Sequence, residues 1–290
     1  MKHSEFYLLA DYIYDNFGIK ISENKMNIFE VKISKLIKSA GVNSIEEYYV
    51  LLNNPKEKRH LTQFLNEITI NKTDFFREIN HFNYIRDNMN NIIKNNPRIN
   101  IHKEIWVRSS AWLTVEEQYT IAMILKEYLP PDITIKILAT DISERVLEQA
   151  IKGEYKEIVK EQVPPIFLNK YFTKKGKNYE VIPEIKKTIT FRSFNLKENF
   201  PFKSNFDIIF CRNVMIYFDN HFHEELAKKF HQYLTKGGIL FIGHSESFSH
   251  INHSLHYVQP TIYMKKWVFK NTLFYFRVLF LTIQLLINPK

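Results

Sequence analysis

"ITIKILATDISERVLEQAI", residues 133–151, sets the architecture. Ile133, Ile135, Ile137, Leu138 and Ala139 make an apolar run that ends at Asp141, and a helical pattern, "SERVLEQAI", follows at once. The same passage from strand to helix occurs just upstream, where "EIWV" (104–107) precedes "EEQYTIAMILKEYL" (116–129). Downstream, "TITFRSF" (188–194), "FDIIFCR" (206–212) and "GGILFIG" (237–243) read as strands, with the helix "NHFHEELAKKFHQYL" (220–234) between the last two. Strands that are apolar on both faces and alternate with helices predict an α/β fold, a parallel sheet covered on both sides. Such a sheet binds ligands beyond the carboxyl ends of its strands.

Three strand ends carry polar groups suited to that position. Asp141 closes one strand, where a carboxylate accepts both hydroxyls of a ribose or caps the next helix. Asn195 follows another, where its amide reads either as a purine-edge contact or as turn chemistry. Arg212 and Asn213 follow the third and either cap backbone or face a ligand. Upstream, "INKTDFFRE" (70–78) joins this region to the preceding segment. Asn71 or Thr73 there reads as a helix cap with Asp74 in the first turn, and Arg77 as a guanidinium that orients a carboxylate.

The residues before about 95 read as helices. In "ENKMNIFEVKISKLIKSAG" (23–41), Ile28, Val31, Leu36 and Ile37 are expected on a core face, with lysines 25, 32, 35 and 38 on a basic one and Gly41 as the stop. "FTKKGKNYEVIPEIKKTITF" (172–191) breaks the strand–helix rhythm and predicts an inserted β-hairpin. The expected division is a helical domain over 1–95, an α/β domain over 96–265 with the insert at about 172–193, and an apolar tail over 266–290. "KNNPRINIHKE" (94–104) is the nearest approach to a linker.

The 290 residues carry a formal charge of +9, which favours acidic partners without choosing among nucleic acid, anionic lipid and an acidic protein surface. With one cysteine, Cys211, neither an internal disulfide nor a thiolate zinc cluster forms, and a reducing cytoplasm is the expected location. The first residues lack the apolar core and cleavage site of a secretory signal. In the tail, Lys270 and Arg277 interrupt an apolar stretch, so peripheral membrane or partner contact is expected rather than a span. His221, His223 and His231 lack metal-ligand spacing, and no metal is expected.

"TDFFRE", "ATDISERVLEQA", "GEYK", "FNL", "FDIIFCRNVMIYFD" and "GGILFIGHSESF", in this order and spacing, resemble the chemotaxis receptor methyltransferases of the CheR type over roughly residues 5–265. The resemblance implies a Rossmann-like domain that uses S-adenosylmethionine, an N-terminal helical domain and a small inserted β-subdomain. It also implies methylation of glutamates on the cytoplasmic domains of chemoreceptors; a monomer is expected, and no nucleic-acid partner, since an Asn-Pro-Pro-Tyr-like base-binding loop is missing. By that resemblance Asn71, Thr73, Arg77, Glu117, Asp141, Asn195, Leu196, Arg212 and Asn213 surround the cofactor. Glu117 holds its ammonium, Asp141 its ribose and the 195–196 pair its adenine. Arg77 and Tyr217 are the positioning pair at the reacting methyl.

One segment departs from the family. Where members read like "WSAACSTGEEPYS", this chain has "RSSAWLTVEEQYT" (108–120): Trp112 and Leu113 replace small residues, Val115 replaces a glycine and Gln118 a proline. A β-branched residue forced to positive φ costs roughly 1–2 kcal/mol, so weakened cofactor binding is expected. Beside an active methyltransferase, two readings stay open: a receptor-binding homologue without catalysis, and a nucleic-acid methyltransferase, supported by charge alone.

Overall fold

The computed structural model describes residues 1–69, 73–110, 116–142 and 144–267, the side chains of 144–146 and 149 excepted. Four helices open the chain: α1 (His3–Phe17), α2 (Met26–Ala40), α3 (Ile45–Leu52) and α4 (Lys58–Ile68). On α2 the buried residues are Phe29, Ile33 and Leu36, which recur at the i, i+4, i+7 spacing of one helical face. Ile28 and Val31, expected in the core, are exposed instead, at 64% and 59%. The error is one of phase: the stripe is centred on Phe29, and the outer face mixes aliphatics with lysines.

Next come α5 (Ile79–Asn95), α6 (Pro97–His102), β1 (Glu104–Ser110), α7 (Glu116–Tyr128), β2 (Thr134–Asp141), α8 (Glu144–Lys152), β3 (Glu154–Lys156), α9 (Val159–Gln162), α10 (Pro165–Tyr171), β4 (Phe172–Lys175), β5 (Asn178–Val181), α11 (Pro183–Lys186) and β6 (Ile189–Ser193). The chain closes through β7 (Phe206–Cys211), α12 (Asn220–Tyr233), β8 (Leu234–Ile242), β9 (His256–Gln259) and β10 (Ile262–Met264). The main sheet runs β6-β2-β1-β7-β8-β10-β9. Its first five strands are parallel, and β10 and β9 add an antiparallel edge that the alternation pattern did not reveal.

Strand pleating sends alternate residues to opposite faces. Ile208 and Phe210 of β7 join one apolar cluster with α5 and α7, whereas Ile209 and Cys211 join a second with α12 and the N-terminal helices. Helix α5, expected within the N-terminal helical unit, therefore packs on the sheet through Phe82, Ile85, Met89 and Ile92. The insert also differs from expectation. Strands β3, β5 and β4 form a separate antiparallel sheet, while residues 189–193 belong to the main sheet beside β2.

Gly237 and Gly238 lie inside β8. At φ +78 a Cβ on Gly237 would fall 1.9 Å from the Asn95 carbonyl oxygen, so glycine there lets α5 close on the sheet. Among the described residues no helix is long and apolar enough to cross a membrane. The tail beyond Trp267 lies outside them.

Candidate active site

The parallel strands place Ser110, Asp141, Ser193, Cys211 and Ile242 along one rim. Arg212, the first residue after β7, organises that rim. Its Nη1 donates to Glu117 Oε2 at 3.1 Å, and its Nε and Nη2 donate to Glu78 Oε2, each at 3.1 Å. Nη2 also donates to the Arg77 carbonyl. The guanidinium is buried, lies 5.4 Å from the centre of the Phe82 ring, and ties the first turn of α7 to the residues that precede α5. A buried charge held by two carboxylates is a strong constraint, since removing one partner of such a pair costs about 3–5 kcal/mol.

Glu117 is held from its other side. Ser109 Oγ donates to Glu117 Oε1 at 2.7 Å, and Gln118 Nε2 donates to Ser109 Oγ at 3.0 Å. Burial pushes the Glu117 carboxyl above the usual range, with Arg212 and Ser109 pulling the other way. Glu78 goes in the opposite direction. Burial raises it, but Arg212, the His244 amide and the Asn213 side chain together hold it below the ordinary carboxylate range. Asn213 Nδ2 reaches Glu78 Oε1 at 3.2 Å, and the His244 N–H reaches the same oxygen at 3.1 Å.

The turn before α5 corrects the helix-cap reading of "INKTDFFRE". Helix α5 begins at Ile79, and its N-cap is Glu78 at φ 57. Phe76 also has φ 57. Two non-glycine residues in the left-handed region cost roughly 1–2 kcal/mol each, offset by burial of Phe75 and Phe76 and by the bonds to Glu78. Thr73 is half-buried five residues ahead of that cap, and Asn71 lies outside the described residues. Asp74 Oδ1 accepts from Gln162 Nε2 at 2.6 Å, and Arg77 is exposed, with its carbonyl on Arg212.

Of the remaining expected residues, Asp141 is buried as the last residue of β2, where its carbonyl accepts the Phe194 amide at 2.9 Å. It is a strand terminus and not the residue adjoining α8. Asn195 is engaged at both ends of its side chain: Nδ2 donates to the Asn16 carbonyl at 2.8 Å and Oδ1 accepts the Lys197 amide at 3.0 Å. Turn chemistry occupies that amide. Leu196 is buried in the apolar cluster shared with the N-terminal helices. Tyr217 ends a short 3₁₀ turn, Met215–Tyr217, and its carbonyl accepts the Lys20 amide at 2.8 Å. The structure thus joins Arg77, Glu117, Arg212 and Asn213 in one network and leaves the Asn195 side chain out of it. Trp112, Leu113 and Val115, on which the expectation of weakened cofactor binding rests, lie outside the described residues.

The sequence did not disclose Glu78, the centre of this network, although it lies within "TDFFRE". Glu246 was missed as well. Its Oε1 accepts the Met215 and Ile216 amides at 2.7 and 3.3 Å, and its Oε2 accepts the Gly243 amide at 2.5 Å. It therefore fixes the loop carrying Asn213 and Tyr217. Burial pushes Glu246 up to about 7 against those donors. Arg108 of β1 is fully buried. Among the described residues none of its guanidinium nitrogens has a hydrogen-bond partner, and the rings of Phe194, Phe200 and Phe202 enclose it.

The donor set fits S-adenosylmethionine. Among the described residues Glu117 uses two of its roughly four lone-pair directions, leaving capacity for an ammonium, and the buried Gln118 Oε1 beside it has no partner there. Asp141 stands at the strand end where a ribose-binding carboxylate belongs, and the buried Ser110 Oγ, also without a partner among the described residues, ends β1.

Comparison with known proteins agrees. The family model for the CheR methyltransferase SAM binding domain matches residues 71–264, and that for the CheR methyltransferase all-alpha domain matches residues 4–69. A chemotaxis protein methyltransferase of Borreliella burgdorferi is 38% identical over 262 residues, covering 89% of this chain and 92% of its own length. A probable chemotaxis protein methyltransferase of Rhizobium etli is 35% identical, covering 82% and 90%. The chemotaxis protein methyltransferase of Escherichia coli is 32% identical, covering 91% of each. Fold, site and matches together define an S-adenosylmethionine-dependent methyltransferase. The chain belongs to the CheR methyltransferase family.

Proposed function

We propose that this protein transfers a methyl group from S-adenosylmethionine to glutamate side chains on the cytoplasmic domains of chemoreceptors, forming methyl esters. The observation that carries the reading is the Arg212 clamp, which draws Glu117 and Glu78 to the rim where a parallel sheet binds its ligand. Family membership and the chemotaxis relatives favour it over the non-catalytic and nucleic-acid readings.

When bound, the cofactor supplies an electrophilic methyl group with its leaving group already attached. The acceptor carboxylate is ionised at neutral pH, so no general base is required, and the work of the chain is positioning. Glu117, steadied by Ser109 and Arg212, holds the ammonium; Asp141 holds the ribose hydroxyls; Asn71, Thr73 and the 195–196 backbone border the rest. Arg77 at the mouth orients the incoming carboxylate, and Tyr217 walls the reacting centre. Arg212 and Asn213 act through Glu78 and Glu117 and are positioning residues. We further propose that the basic outer face of α2 meets the acidic receptor, that the protein works as a cytoplasmic monomer, and that the 266–290 tail touches the membrane surface peripherally.

The test is transfer of a labelled methyl group to receptor-containing membranes, read as base-labile methanol. Base-labile label that falls at least tenfold in Arg77→Ala, with folding intact, supports the proposal. Base-stable label, or none, refutes it.

A further inference from the structure

The methyl-transfer reading leaves a buried histidine beside the clamp without a task. The Thr261 hydroxyl donates to the Pro260 carbonyl at 2.6 Å, so its oxygen accepts from His81 Nε2–H at 2.7 Å. In the neutral ring Nδ1 then carries a bare lone pair. Among the described residues that nitrogen has no hydrogen-bond partner, and it faces Glu78 Oε2 at 3.6 Å, on a side chain only 1% exposed. Two electron-rich atoms opposed at that distance call for a positive centre between them. The exposed His244 ring closes the third side, its centroid 5.1 Å from that of His81.

We propose that Glu78, His81 and His244 form a binding site for a zinc-class divalent cation. One donor atom from each lies within 4.8 Å of the others. A tetrahedral site with bonds of about 2.0–2.1 Å spaces its donors roughly 3.3 Å apart, so the His81–Glu78 pair nearly fits and His244, at the surface, makes the adjustment. Thr261 fixes the tautomer and ring orientation, as outer partners of ligating histidines do. An open cavity of about 500 Å³, lined in part by Asn80, Asn83, His244 and Thr261, gives access and room for water as a fourth ligand.

The same Glu78 oxygen accepts both Arg212 bonds. A cation that takes this oxygen loosens the clamp that also holds Glu117, so metal and cofactor oppose each other, and by linkage each weakens the other equally. This antagonism rests on the methyltransferase reading; the metal site does not.

The test titrates untagged, chelator-treated full-length protein with Co²⁺, following the visible absorption of tetrahedral cobalt and its bleaching by Zn²⁺. The expected result is one site per chain, weakened about tenfold or more in His244→Ala and in His81→Gln. His244→Ala alters a surface side chain and keeps the fold; circular dichroism checks both variants. No tetrahedral absorption at millimolar Co²⁺, or binding undiminished in His244→Ala, overturns the site. Saturating Zn²⁺ should also weaken S-adenosylmethionine binding in the wild type but not in His244→Ala, and an unchanged affinity overturns the antagonism.

Discussion

Replacing Arg108 by methionine should stabilise the protein. The guanidinium is fully buried, and its Nε, Nη1 and Nη2 all lack hydrogen-bond partners. Burial depresses it to about 9 by disfavouring the charged form. The compensation is aromatic: its central carbon lies 4.1, 4.5 and 5.2 Å from the centres of Phe200, Phe202 and Phe194. Such contacts contribute about 0.5–2 kcal/mol each, whereas an unpaired buried ion costs several kcal/mol even after relaxation. Methionine keeps the length and apolar contacts of the side chain and makes favourable sulfur–aromatic contacts. The expected net gain is about 2–3 kcal/mol, a midpoint rise of roughly 3–5 °C for a chain of this size. Urea unfolding followed by circular dichroism measures it, with the m-value unchanged. A loss of 1 kcal/mol or more would refute the reasoning, because it would mean that the guanidinium satisfies a partner that methionine cannot replace.

The double variant Val115→Gly, Trp112→Ala should bind S-adenosylmethionine about tenfold more tightly than the wild type in calorimetric titration; equal affinities would show that those side chains do not obstruct. Glu246, raised to about 7, contributes stability below its unfolded pKa and loses it as pH rises to 7. The stability of the wild type relative to Glu246→Gln should therefore fall by about 3 kcal/mol between pH 4.5 and 7, and a flat difference in denaturant titrations would contradict this. Lys35→Glu with Lys38→Glu should weaken binding of receptor cytoplasmic fragments, and salt should weaken wild-type binding in the same way; salt-insensitive binding in a pull-down would count against the basic face.

The parallel core was legible because β7 is buried throughout, β2 carries Ile135, Ile137 and Ala139 on one buried face, and both are followed by polar strand ends. The reading lost accuracy where long-range packing decides. Ile28 and Val31 are apolar, yet the phase of α2 is set by Phe29 and Ile33 against the other helices. The β9–β10 edge is too short and too polar outside Ile262 and Tyr263 to announce itself. At the site, Asp141 and Arg212 were visible as strand-end residues, but nothing local marks Glu78 as the partner of Arg212, 134 positions away. Glu246 is equally silent, since its role is to accept backbone amides from the β7–α12 loop. Arg108 escaped because a charge within an apolar strand reads as the end of that strand.

The central claim is that Glu117, held by Arg212, receives the cofactor's ammonium. The measurement that meets it most directly is calorimetric titration of S-adenosylmethionine into the wild type and Glu117→Gln from mildly acidic to neutral pH. Burial raises the free carboxyl, and a bound ammonium favours its ionised form, so wild-type affinity should climb with pH over that range. In Glu117→Gln binding should be at least tenfold weaker and flat with pH. Equal affinity and the same pH profile in both proteins would contradict the account.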